Sequence, residues 1–275
     1  KAVELYNQAA ELGDTNALVE LGAMYRDGDG VRQDFKAAAE YLQQAADDGD
    51  ALAARYIGDM FREGNGLVKD AREAFNWYQQ AAEQGDSVAM NRLGNLFYNG
   101  GDNLESDMNK AFYWYKRSAE AGFTWGMYNL GTMYRDGEGT SKNLAEAFSW
   151  FKRGYEEDNA ACAEMLGVMY ANGEHVDKNE YKAFEFYKKA AELGDANSMN
   201  RVGNCYYSGR GVNQNYNEAF RWYQKAADES HAQAIANLAY LYRNGKGTTR
   251  NITKAVELYN QAAELGNTNA LVELG

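Results

Sequence analysis

GMYNLGTMYRDGEG (126–139) is the stretch whose reading decides the fold. Its Leu130-Gly131 step, a bulky aliphatic residue followed by a small one, is not isolated. It recurs as Leu21-Gly22, Ile57-Gly58, Leu93-Gly94, Leu166-Gly167, Val202-Gly203, Leu238-Ala239 and Leu274-Gly275. Successive steps lie 36, 36, 37, 36, 36, 36 and 36 residues apart, and a fixed period of that size signals a stacked repeat array. The one extra residue falls in GGDNLESD (100–107), which reads as a loop, where insertion costs little.

Around each step the residues fit one face of a helix, here called helix A. A small residue stands four before the Leu (Ala17, Ala53, Ala89, Gly126, Cys162, Ser198, Ala234, Ala270). An aromatic stands four after it (Tyr25, Phe61, Phe97, Tyr134, Tyr170, Tyr206, Tyr242), and these offsets share a helical face. Gly28, Gly64, Gly100, Gly137, Gly173, Gly209 and Gly245 follow, placed to close helix A with a left-handed residue. A second helix, B, opens at Asp34, Asp70, Asp107, Asn143, Asn179, Asn215 and Asn251, all good acceptors for free first-turn N–H groups. An Ala follows four residues on in every repeat, and then a bulky pair such as Trp77-Tyr78, Trp114-Tyr115, Trp150-Phe151 or Trp222-Tyr223. The fixed place of Trp77, Trp114, Trp150 and Trp222 predicts a buried Trp ladder.

The pattern A-x-x-x-L-G-x-M-Y-x-x-G-x-G-V, then D/N-x-x-x-A-x-x-W-Y-x-x-A-A-x-x-G, resembles the Sel1-like repeat, a relative of the tetratricopeptide repeat with a longer inter-helix loop. Phe123 and His231 depart from it where most repeats have Asp or Asn, as does Ala239 in place of Gly; proline is absent. The resemblance implies an all-α, right-handed α-solenoid of about seven antiparallel helix pairs, with helix A lining a concave side. It also implies a partner-binding role for that side. Stacking is required on physical grounds too, because one helix pair cannot bury its apolar face alone.

Composition narrows the functions. Forty acidic against 28 basic residues give a net charge of −12, which argues against nucleic acid and anionic membranes as partners. No apolar run approaches the roughly 18 residues of a membrane span. Two Cys and two His leave little for metal or nucleophilic chemistry; no catalytic residue, metal or cofactor is expected. Cys162 and Cys205 occupy core positions of helix A, too far offset for a disulfide. The glycine-rich loops GDGV (28–31), GEGT (137–140), GRGV (209–212) and GKGT (245–248) lack the strand and spacing of a phosphate loop and read as connectors. RDGDG (26–30) lacks the calcium ligands that an EF-hand needs at Val31 and Ala38.

Function should then lie where repeats differ. Helix A positions −2, +2 and +5 from the Leu carry Arg55, Asp59 and Arg62 in one repeat. They carry Asn91, Asn95 and Tyr98 in the next, and Asn200, Asn204 and Tyr207 three repeats later; MNRLGNLFYNG (90–100) and MNRVGNCYYSG (199–209) are near copies. Asn pairs one turn apart can bind an extended peptide backbone, or pair with neighbouring repeats. Trp125 stands alone on helix A, five before its Leu.

Residues 1–22 and 254–275 match at 21 of 22 positions, exposed ones included, differing only at Asp14 and Asn267. That predicts a seven-repeat block recurring with a 253-residue period, so that residues 1–275 form one array starting and ending mid-repeat. Two function classes follow: a long structural array or head-to-tail fibre, placed first, and an adaptor binding proteins or peptides. The fibre reading and the resemblance together lean towards export from the cell.

Overall fold

The computed structural model describes residues 1–274; Gly275, and with it the last Leu-Gly step, lies outside the described residues. The described chain is an all-α solenoid of alternating A and B helices. It divides into two compact units, Lys1–Asn143 and Leu144–Gly275.

The first unit holds B helices α1 (Ala2–Glu11), α3 (Phe35–Asp47), α5 (Ala71–Glu83) and α7 (Met108–Glu120). They alternate with A helices α2 (Thr15–Asp27), α4 (Ala51–Glu63), α6 (Ser87–Asn99) and α8 (Thr124–Asp136). The second unit runs α9 (Leu144–Glu156), α10 (Ala160–Asn172), α11 (Glu180–Glu192), α12 (Ala196–Ser208), α13 (Tyr216–Asp228), α14 (Ala232–Asn244), α15 (Ile252–Glu264) and α16 (Thr268–Leu274), with B helices odd-numbered. Within each unit, every helix packs against the next.

The helix ends follow the sequence closely. Gly28, Gly64, Gly137, Gly173, Gly209 and Gly245 adopt the left-handed conformation after helix A. Gly100 does not: its φ of 70° comes with ψ −171°, and the longer loop instead forms an isolated bridge between Gly101 and Leu104. Asp34, Asp70, Asp107, Asn179, Asn215 and Asn251 each accept first-turn N–H groups with their side chains. In all seven loops the backbone N–H of the residue before helix B donates to the carbonyl of the aromatic at +4, at 2.7–3.0 Å. This bond fixes the return path of each loop to helix B.

The two departures before helix A leave the backbone unchanged. Phe123 makes no side-chain cap, yet its φ and ψ (−77°, 118°) match those of Asp50 (−77°, 118°). His231 does cap: its Nδ1 accepts from Ala234 N–H at 3.1 Å, while Nε2 faces Asn197 Oδ1 at 3.0 Å. Burial lowers the His231 pKa, which favours the neutral ring that capping needs.

The Trp ladder is a correction. Trp77 and Trp114 are only half-buried, and the deeper member of each bulky pair is the residue after them: Tyr78, Tyr115, Phe151 and Tyr223. Trp150 and Trp222 are buried, but less completely than those neighbours. The Leu-Gly step explains the choice. A Cβ on Gly58 would meet the Tyr78 ring at 2.5 Å, and one on Gly94 or Gly203 would meet Tyr115 or Tyr223 equally closely. The glycine lets the ring lie directly on the helix A backbone, as only a residue without a side chain can.

A different aromatic series links the repeats. Phe75 meets Phe97 edge-on, Phe112 meets Tyr134, Phe148 meets Tyr170, Phe184 meets Tyr206, and Phe220 meets Tyr242, with centroids 5.2–6.0 Å apart. Each pair joins one B helix to the following A helix, and edge-to-face packing adds about 0.5–1.5 kcal/mol beyond burial.

Candidate functional site

The residues singled out on helix A turn out to be largely engaged inside each unit. On α4, Arg55 Nε donates to Asp86 Oδ2 at 2.9 Å, tying this helix to the cap of α6. Asp59 accepts from the Tyr78 hydroxyl at 2.7 Å and pairs with Arg92 at 3.3 Å; Arg62 Nε donates to the same Tyr78 oxygen at 3.2 Å. Asp59 and Arg62 thus share one network through Tyr78, and Arg55 is spent on a separate ion pair.

The Asn clusters behave alike. Asn91 is 6% exposed and accepts from Asn129 Nδ2 at 2.9 Å; Asn200 is 8% exposed and accepts from Asn237 Nδ2 at 2.9 Å. Asn95 takes the Tyr115 hydroxyl at 2.8 Å, and Asn204 takes the Tyr223 hydroxyl at 2.7 Å. Of the two expectations for Asn91 and Asn200, the structure displays the pairing with neighbouring repeats. Their amides tie each A helix to the next one, because burial demands a partner for every amide. Asn95 and Asn204 spend their carbonyl oxygens on tyrosines that the Leu-Gly step seats beneath them.

Where that acceptor is missing, the tyrosine is left over. The residue at +2 in α14 is Tyr240, and the buried Tyr259 hydroxyl has no partner. Tyr259→Phe should accordingly be neutral or slightly stabilising in thermal melts, whereas Tyr223→Phe should cost about 1 kcal/mol. A larger loss for Tyr259→Phe would contradict this assignment.

Exposed residues remain around this frame. Trp125 is 50% exposed, edge-on to Tyr128 at 5.7 Å, and Tyr98 is 36% exposed with its phenol pushed above the usual range by the Glu138 carboxylate beside it. In the second unit, Asn204, Tyr207, Tyr223, Asn237, Tyr240 and Leu241 line an open pocket of about 260 Å³. Lys246 stands at its rim and donates to Tyr207 Oη at 2.7 Å. Sequence reasoning found Asn204, Tyr207 and Trp125 but missed Asn129, Asn237, Tyr240 and Lys246. The signal lay in pairing positions across neighbouring repeats.

Among the described residues there is no cluster of three His, Cys, Asp or Glu side chains placed to hold a metal. Both cysteines are free thiols, and burial raises them, Cys162 to about 12 and Cys205 to about 11, so neither is a ready thiolate. No helix is long and apolar enough to cross a membrane.

The comparisons agree with the geometry. The family profile described as Sel1 repeat matches residues 1–14, 15–50, 51–86, 87–123, 126–159, 160–195, 196–231 and 232–267. Among solved structures, a protective antigen of uropathogenic Escherichia coli strains displaying an SLR fold is 29% identical, with a TM-score of 0.84. That alignment covers 99% of this chain and 58% of the antigen, so the chain spans little more than half of that relative's length. A Sel1 repeat protein from Oxalobacter formigenes is 28% identical over 99% of this chain and 78% of its own, with a TM-score of 0.82. Yeast Tom70 is 15% identical over 98% of this chain and 55% of its own, with a TM-score of 0.58, and shares the fold alone. No curated protein sequence matches. With eight segments matched from residue 1 to residue 267 and the loop, cap and Leu-Gly geometry in place, the chain belongs to the Sel1 repeat family.

Proposed function

We propose that this chain is a non-enzymatic scaffold that binds an extended segment of a partner protein along the exposed face of its A helices. The observation that supports this reading is the contrast on that face. Asn91, Asn129, Asn200 and Asn237 are locked in bonds between neighbouring A helices, while large aromatic side chains beside them, Trp125 above all, stay open to solvent. Rigid aromatic anchors on a fixed frame are what protein recognition uses most efficiently. Panning a displayed peptide library on the chain tests it. The selected peptides should lose about tenfold in affinity with Trp125→Ala or with Tyr98→Ala, at unchanged melting temperature. Peptides indifferent to both changes would place binding elsewhere.

A second reading rests on the 21-of-22 identity of residues 1–22 and 254–275. On this reading the seven-repeat block recurs, covalently or by end-to-end stacking, as an open filament. Negative-stain imaging and sedimentation of the native protein decide: filaments or concentration-dependent growth support it, and discrete particles of constant mass refute it.

A further inference from the structure

The two near-copy segments, 90–100 and 199–209, build the same frame but are closed by opposite charges. In the first unit the residue beside Tyr98 is Glu138, the middle residue of the GEG turn. In the second unit the corresponding residue beside Tyr207 is Lys246, the middle residue of GKG. The Lys246 ammonium sits 4.8 Å from the ring centroid of Tyr207, 5.1 Å from Tyr216 and 5.4 Å from Tyr240. Those rings hold the cation in place at the rim of the pocket.

The charged group at the pocket is a donor, and the other polar groups around it are neutral amides and phenols. One Lys246 N–H is used by Tyr207 Oη, which leaves two. Asn204 spends its oxygen on Tyr223 and Asn237, so its amide N–H groups are what it has left to offer. Asn237 Nδ2 is used on Asn200. No carboxylate lines the pocket, and its walls are tyrosine rings and Leu241. The surroundings match. Of the basic residues in 230–256, Arg243 and Lys254 pair with Glu273 and Glu257, which leaves Lys246 and Arg250 as the cations that no carboxylate among the described residues answers. An ammonium with no carboxylate partner, an amide with free N–H groups and walls of tyrosine rings together suit an anionic group carried on an aliphatic stem.

We infer that the pocket bounded by Asn204, Tyr207, Tyr240 and Lys246 receives an acidic side chain of the partner segment, its carboxylate pairing with the Lys246 ammonium and its methylenes lying between the tyrosine rings. The inference rests on the interaction reading above and deepens it by naming what one anchor position recognises. The hydrogen bond to Tyr207 also holds the Lys246 pKa above its ordinary value, so the ammonium persists through the physiological range. In the first unit, Glu138 denies the equivalent place to a carboxylate, so the preference belongs to this pocket and not to the repeat in general.

The test uses the whole chain and three fluorescein-labelled peptides of about twelve residues, sharing a Leu/Ser backbone and carrying Glu, Gln or Lys at every third position. Fluorescence anisotropy should show the Glu peptide binding about tenfold or more tightly than the Gln peptide, the scale of a charge-assisted hydrogen bond. Lys246→Gln should abolish that difference, Lys246→Arg should retain most of it, and Glu138→Lys should not reduce it. Equal binding of the Glu and Gln peptides, or a Glu preference that survives Lys246→Gln, overturns the inference while leaving the interaction reading standing. Tightest binding of the Lys peptide overturns its sign. If no peptide binds the wild-type chain, this inference falls, and the library selection above decides the interaction reading separately.

Discussion

Tyr78→Ala is expected to destabilise the first unit by about 3–5 kcal/mol, as large aromatic truncations in a packed core do. The ring is fully buried, lies on the Gly58 backbone, and its hydroxyl both donates to Asp59 and accepts from Arg62. Truncation opens a cavity and strips two charged groups of a shared partner, so the loss exceeds the transfer energy of the ring. Because contacts in a repeat array are local, the increase in hydrogen exchange should concentrate in α4, α5 and α6 and fade beyond them. Trp77→Ala, one residue earlier, is half-exposed and should cost clearly less. A larger effect from Trp77 than from Tyr78 would reverse the assignment of the core position.

Gly139→Ala should be nearly as damaging, at about 2–4 kcal/mol, combining a left-handed residue with overpacking. Gly139 has φ +63°, and a Cβ there would fall on the Met108 carbonyl at the start of α7. Gly211 and Gly247 meet Glu180 and Tyr216 in the same way, which makes this second loop glycine the point where a loop rests on the preceding B helix. Gly85→Ala is the control. Its φ is +92°, but nothing lies within 4 Å of a Cβ, so only the conformational cost of about 1–2 kcal/mol applies. Thermal melts of the two variants should differ by several degrees; equal melting temperatures would show that the loop can shift. One repeat already carries a side chain at this point. His175 has φ +66° and its ring lies 5.6 Å from that of Phe148, so the position is open to a larger residue when the helix beneath is seated to suit.

Much of the fold was legible because its signals are local. The 36-residue step, the Asp or Asn before each B helix and the glycine after each A helix are read from consecutive residues, and six of the seven closing glycines behave as expected. What local reading misjudged was depth. Trp77 and Tyr78 are about 100° apart around a helix, so periodicity alone leaves open which of them faces inward. The missing information sat about 20 residues earlier, in Gly58, whose absent side chain makes room for one ring only. The same distance effect left the role of Asn91 and Asn200 open. Their partners, Asn129 and Asn237, lie 38 and 37 residues away, one repeat along and one position later, and only a comparison between neighbouring repeats reveals the match. Phe75 with Phe97 and its four equivalents, always 22 residues apart, could have been found the same way. The binding surface was harder still, because Lys246 matters through its place against three tyrosines from other helices and loops.

The central claim is that partners are recognised on the A-helix face of a rigid repeat frame. Hydrogen–deuterium exchange of the whole chain, with and without a saturating peptide selected by panning, tests it most directly. The account predicts new protection in residues 200–207 and 237–246, in residues 91–98 and 125–132, or in both sets, with the B helices unchanged. Protection confined to B helices, around the exposed Tyr113 or Tyr181, would contradict it.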